Sequence, residues 1–190
     1  MLRWVRHNRP SSILEVGVRY GRTAERLINA AINVEPSTSY TGVDLFKEAY
    51  AESIARREIS QEPESSQWVQ RRLESRFPSA DISLIQGDSI AVLPELKASS
   101  FDLIFIDGGH SYETCLQDIL NAQRLIAPGG AIFLDDFTDF WGSTYGGVGV
   151  NMALRDSHSS DWKLSVGRIW DSFPKDWGTY RITVAKMERV

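Results

Sequence analysis

The chain is 190 residues long, enough for a single domain that buries roughly 70% of its unfolded-chain surface without covalent staples. Its 42% hydrophobic and 24% charged residues are an ordinary globular balance; no apolar run approaches the ~18 residues of a membrane span, which excludes disorder and membrane insertion. Twenty-one basic against 25 acidic side chains leave a net charge of −4 with no long block of either sign, an argument against a nucleic-acid backbone or an anionic bilayer as partner. The single cysteine, Cys115, excludes an intrachain disulfide framework and a thiolate metal site, and Met1-Leu2-Arg3-Trp4 opens no apolar leader, so the expected compartment is the cytoplasm.

In chain order, Ile13-Leu-Glu-Val-Gly-Val18 is a short β-branched run ended by glycine, followed from Arg22 by a helical pattern with apolar Ala24, Leu27, Ile28 and Ala31. The alternation continues with a strand over Ser39 to Asp44, a helix over Glu64 to Phe77, a strand over Ile82 to Gln86 and a short helix over Ile90 to Leu96. A strand over Phe101 to Asp107, a helix over Tyr112 to Ile126, the turn Pro128-Gly-Gly130 and a strand over Ala131 to Asp135 complete the series. Five strands alternating with helices require parallel crossovers, and the nearly continuous apolar runs at Ile82 to Ile85 and Phe101 to Ile106 read as middle strands covered on both faces. Lys47 to Pro63 is polar and reads as a lid or an extended helix. After a helix around Asn151 to Arg155, strands over Trp162 to Trp170 and Thr179 to Met187 are joined by only eight residues, too few for a crossover helix, and must be antiparallel. The expected fold is α/β: one domain over residues 1–190 with a doubly wound, mostly parallel sheet and a C-terminal antiparallel hairpin.

Glu15-Val-Gly17-Val-Arg-Tyr-Gly21 turns a strand into a helix at the carboxyl edge of the sheet, where open α/β folds bind ligands. Gly17 permits close backbone approach, and Gly21 lets the turn enter the helix. A dinucleotide fingerprint wants glycines at 15, 17 and 20; with Glu15 and Tyr20 it fails. An acid at position 15 would repel a pyrophosphate and suit a cationic ammonium or sulfonium. This segment resembles the first motif, acidic-x-Gly-x-x-x-Gly, of the class I S-adenosylmethionine-dependent methyltransferases, matched by Glu15, Gly17 and Gly21.

Asp44 ends the second strand, where a ribose-binding carboxylate belongs in such a fold. Gln86-Gly-Asp88-Ser89 resembles the family's Gly-Asp-Ser/Ala segment, which implies that Asp88 receives the adenine amino group and that the neighbouring backbone reads the ring; Ser89 could instead cap the helix at Ile90.

The most specific segment is Phe101-Asp-Leu-Ile-Phe-Ile-Asp107-Gly-Gly-His110, paired with Asp135-Asp136 at the next strand end. Neighbouring strands lie ~4.8 Å apart, so three carboxylates can converge there, and oxygen ligands of this kind suit Mg²⁺. Here the chain resembles the metal-dependent small-molecule O-methyltransferases of the macrocin and mycinamicin type, methyltransferase family 24, over Ser12 to Phe137. That resemblance implies that Asp107, Asp135 and Asp136 hold Mg²⁺, that Asp107 also borders the cofactor, and that His110, three residues beyond Asp107, is the base. The catechol O-methyltransferase group carries Lys at that offset. Methyl transfer to oxygen needs an activated hydroxyl, and a dication together with neutral imidazole supplies one.

The implied activity is Mg²⁺-assisted O-methylation of a small-molecule hydroxyl, on a sugar or natural product, by a cytoplasmic enzyme with no nucleic-acid or membrane partner. The aromatic residues Trp141, Tyr145, Trp170, Phe173 and Trp177 read as acceptor-pocket lining, core or a homo-oligomer contact. The alternatives are a methyltransferase acting on protein or nucleic acid and a non-catalytic S-adenosylmethionine-binding module. Against the first, Asp107-Gly-Gly-His110 stands where amino-methylating nucleic-acid enzymes carry Asn/Asp-Pro-Pro-Tyr/Phe.

Overall fold

The β-branched run Ser12–Val16 forms β1, and Gly17, at φ 89°, turns the chain toward α2 (Arg22–Ile32). The structure is a computed structural model describing residues 1–49, 63–138, 148–169, 171–175 and 178–190. A short helix absent from the sequence reading, α1 (Leu2–Asn8), precedes β1 and covers the sheet with Trp4 edge-on to Phe133. β2 (Ser39–Asp44) is followed by a 3₁₀ turn at Lys47–Ala49 and, past the undescribed residues 50–62, by α3 (Ser66–Arg76), whose N-cap Ser65 accepts from the Trp68 amide. The expectation for Lys47 to Pro63 therefore falls largely outside the described residues. β3 (Asp81–Gln86), α4 (Ser89–Val92) with a 3₁₀ turn at Leu93–Glu95, β4 (Phe101–Ile106) and α5 (Tyr112–Leu125) follow as read. The chain ends with β5 (Ile126–Thr138), α6 (Val148–Ser157), β6 (Trp162–Val166), β7 (Asp171–Lys175) and β8 (Gly178–Arg189).

The strand order is β3-β2-β1-β4-β5-β8-β6, with β7 also on β8. The first five strands are mutually parallel, and β8 runs antiparallel to β5, β6 and β7. Parallel core and antiparallel end match the expectation. Three details differ. β3 is an edge strand with Asp81, Ser83 and Gln86 exposed, whereas the sequence reading placed it in the middle. The connector after Trp170 contains a strand, β7, whose Pro174 is tolerated because β7 pairs only with β8. Pro128-Gly-Gly130 lies within β5 as an irregularity: from Phe101↔Ile126 to Leu103↔Ala131, β5 advances five residues while β4 advances two.

The sheet is covered on both faces. Leu14, Ile104, Ile106, Ile132 and Leu134 pack against Ile119 and Leu125 of α5 and Ala153 of α6. Ile13, Leu103, Phe105 and Phe133 face Val5, Leu27, Ile28 and Leu73 from α1, α2 and α3. Among the described residues no helix is long and apolar enough to cross a membrane.

Candidate active site

The cross-strand ladder runs one step past the strand ends. Gly17 N donates to Val43 O (2.9 Å), Asp107 N to Val16 O (2.8 Å) and Gly87 N to Asp44 O (2.9 Å), so the loops after β1 to β4 leave the sheet edge in a fixed order. Between them opens a cleft of about 470 Å³ lined by Glu15, Gly17, Asp44, Asp88, Ser89, Asp107 and His110, among others. The expected strand-end residues are thus brought together, apart from Gly21, which sits behind the loop as the left-handed N-cap of α2, and the acidic pair of β5.

Gly17 has no alternative at its position. Besides its φ of 89°, a Cβ there would overlap the Asp107 carbonyl, so at this point the first and fourth loops meet backbone to backbone. Asp44 does more than the sequence reading assigned. Its Oδ2 accepts from Val18 N and Arg19 N, both at 2.7 Å, and its Oδ1 from Phe46 N at 2.7 Å. Three backbone amides thus set its carboxylate and the glycine loop in mutual register, with Arg19 held at φ 52°. Asp88, and not Ser89, is the N-cap of α4, accepting from Ile90 N at 3.1 Å. A carboxylate one residue earlier reaches the first free amide, which corrects the cap expected of Ser89.

Glu15 is 1% exposed, and its Oε2 accepts from the Tyr40 hydroxyl at 2.6 Å. Burial pushes its carboxyl up to about 8; the Tyr40 bond works against that shift, and the Asp44 charge adds to it. Burial at the cleft floor thus favours the protonated form of Glu15 over its carboxylate. Tyr40 was missed in the sequence. Its signal is Gly42, directly opposite Glu15 in the β1–β2 register, where a side chain would crowd the Tyr40 hydroxyl.

Asp107 sits at the junction of the two halves of the site. Burial raises its carboxyl well above the usual range, Asp135, Asp136 and Glu15 raise it further, and Arg19 opposes them. β4 and β5 are parallel neighbours, with Ile106 opposite Leu134, which meets the condition set for the carboxylates to approach. The three carboxylates nevertheless do not gather at one point: among the described residues no three His, Cys, Asp or Glu side chains stand so as to hold a metal ion. The reason is a bulge. Between Leu134↔Ala185 and Phe137↔Thr183, β5 advances three residues while β8 advances two, and Asp136 takes φ 53°. Asp135 lines a small cavity with Asp107, His110, Cys115, Ile119 and Val150, while the Asp136 Oδ2 stands 3.3 Å from Nδ1 of His110. The donor set has the chemistry for a hard dication; its arrangement is not a cradle for one.

The loop carrying His110 is pinned at its backbone. The Cys115 thiol donates to Gly109 O at 3.1 Å, and Ser111 caps α5 by accepting from Thr114 N. Gly149, in the first turn of α6, lies so close that a Cβ would overlap the His110 carbonyl. Of the aromatic residues expected near the acceptor, Trp141, Tyr145, Trp170 and Trp177 and the side chain of Phe173 lie outside the described residues.

Residues 14–137 match the model of a methyltransferase domain family. No curated protein matches the chain. Among solved structures, an O-methyltransferase from Bacillus cereus in complex with SAH is similar over 99% of this chain and 78% of its own, at 15% identity and a TM-score of 0.67. The SAH-bound methyltransferase PaMTH1 of Podospora anserina is similar over 100% and 76%, at 15% identity and a TM-score of 0.65. The O-methyltransferase TomG of Streptomyces achromogenes, involved in tomaymycin synthesis and in complex with SAM, is similar over 98% and 77%, at 18% identity and a TM-score of 0.59. With a family model spanning 124 of its 190 residues and a sheet of this order, the chain belongs to the methyltransferase domain family and has the Rossmann-like fold of the class I enzymes.

Proposed function

We propose that the protein is a cytoplasmic enzyme that methylates a hydroxyl oxygen of a small molecule at the expense of S-adenosylmethionine. The observation that carries this reading is the single cleft in which the glycine loop, Asp44 and Asp88 meet Asp107 and His110. When bound, S-adenosylmethionine supplies an electrophilic methyl group on a sulfonium; the C–S bond breaks as the O–C bond forms, and S-adenosylhomocysteine leaves. The chain's residues divide the remaining work. Gly17 lets the ligand approach the backbone, and Asp44, with three of about four acceptor sites filled by amides, keeps one for a ribose hydroxyl. Asp88 and Ser89, at the end of β3, border the adenine, and Glu15 and Asp107 border the charged end. His110, 35% exposed at the cleft, accepts the acceptor's proton.

Mg²⁺ assistance is the finer expectation: Asp107, Asp135 and Asp136 carry the donor chemistry for such an ion, but among the described residues they do not stand so as to hold one, and the proposed reaction does not depend on it. The proton transfer to His110 is complete without it. Turnover of S-adenosylmethionine against a panel of hydroxylated metabolites, with and without chelator, tests both parts. Methyl transfer to a hydroxyl supports the activity, and full turnover in EDTA removes the cation. Failure of the intact protein to bind either S-adenosylmethionine or S-adenosylhomocysteine would sink the whole reading.

A further inference from the structure

The bulge at the acidic pair of β5 also does something constructive. It turns Asp136, at φ 53°, toward the imidazole of His110, with Oδ2 3.3 Å from Nδ1. The backbone around His110 is already immobilised by the Cys115 thiol on Gly109 O, by the Ser111 cap and by the close approach of Gly149. What remains free is the ring itself: its rotation and the choice of which nitrogen carries the proton. A carboxylate facing Nδ1 decides both, because it accepts from Nδ1–H and leaves Nε2 bare.

We infer that Asp136 is a positioning residue that holds neutral His110 with its proton on Nδ1, so that the Nε2 lone pair faces the acceptor. This rests on His110 being the base of the proposed reaction, and it gives Asp136 a different task from the cation ligand expected of the acidic pair. The step is a simple proton transfer. The acceptor hydroxyl loses its proton to Nε2 as the methyl group arrives, and the imidazolium formed faces the Asp136 carboxylate until it releases the proton to solvent. The separation in the structure is long for a hydrogen bond, as is common for catalytic pairs before the reacting complex assembles.

The tautomer can be read without any acceptor or cofactor. In a two-bond ¹H–¹⁵N correlation spectrum of the full chain, recorded well above the ordinary imidazole range of ~6.5, the His110 ring, assigned by its loss in His110→Ala, should be protonated at Nδ1. Asp136→Ala and the volume-conserving Asp136→Asn should both shift it toward the Nε2–H form that free imidazole prefers. Two folded variants of different size guard against a purely structural effect. An Nε2–H wild-type ring, no change in either variant, or conversion of the wild-type ring to Nε2–H on adding Mg²⁺ would each overturn the proposal, the last by giving Asp136 to the cation. Kinetics supply the second arm. Asp136→Ala should lower kcat roughly 10- to 100-fold in the wild type, within the range of general-base contributions, and change it little in a His110→Ala background. Equal losses in both backgrounds would mean that the two residues act independently. The spectrum can fail while methyl transfer stands, and the converse also holds, so the two readings are separable.

Discussion

Apart from the buried Glu15, the two halves of the sheet's carboxyl edge hold their acids in opposite ways. On the β1–β2–β3 side, Asp44 is satisfied by three backbone amides and Asp88 caps α4, so the charges are spent on organising the backbone. On the β4–β5 side, burial and the nearby charges of Asp135 and Asp136 raise Asp107, and a bulge interrupts the register at the acidic pair on β5. The first half is built as a rigid ligand cradle. The second keeps its polar groups in tension, the condition expected where protons move.

Substitutions should divide along that line. The largest effect is expected on the tense side: His110→Ala should lower kcat by ~10² to 10⁴ while leaving cofactor affinity nearly unchanged, as measured by steady-state kinetics beside calorimetry. If cofactor binding fell equally, the halves would not be separate. Gly17→Ala places a Cβ against the Asp107 carbonyl at a φ of 89°, where the backbones of both halves meet. A loss of about 3 kcal/mol in stability is expected from strain plus overlap, visible in thermal denaturation, with cofactor binding lost as well. On the rigid side, Asp44→Ala leaves three amides without their acceptor and should weaken cofactor binding by about 1 to 3 kcal/mol. An unchanged affinity would return Asp44 to a loop-building role alone.

A further effect concerns pH. Glu15 is pushed up to about 8 from an ordinary 4.5, so between those values the folded chain retains a proton that the unfolded chain has lost. Its contribution to stability is full below about 4.5 and declines as pH rises toward 8. Glu15→Gln keeps the Tyr40 partner and should flatten the fall in Tm over that window, leaving the share that belongs to the similarly raised Asp107. A wild-type Tm that climbs across the window would contradict the burial argument.

Element order, the parallel core and the strand-end residues were legible because each rests on local signals: β-branched runs, helical periodicity, and glycine or acid where a strand stops. What stayed hidden depends on pairing between distant segments. The run Ile82 to Ile85 reads alike at the centre or the edge of a sheet, and only the position of β2 between β1 and β3 decides it. The bulge at Asp135 and Asp136 belongs to the register with β8, some fifty residues later, so adjacency in sequence predicted a three-carboxylate cation site that the described residues do not form. Tyr40 and Gly149 act through space alone, one toward Glu15 and the other against His110. By contrast, Asp107 and the β5 pair could be read as strand-end acids, and the pairing of β4 with β5 meets the condition on which their approach was expected.

The most direct test of the central claim is titration calorimetry of the intact protein with S-adenosylhomocysteine, alongside His110→Ala and Asp44→Ala. The account predicts one site per chain, filled equally well by the wild type and His110→Ala and clearly more weakly by Asp44→Ala. No heat of binding to the wild type, or binding insensitive to Asp44 and abolished by the loss of His110, would contradict it.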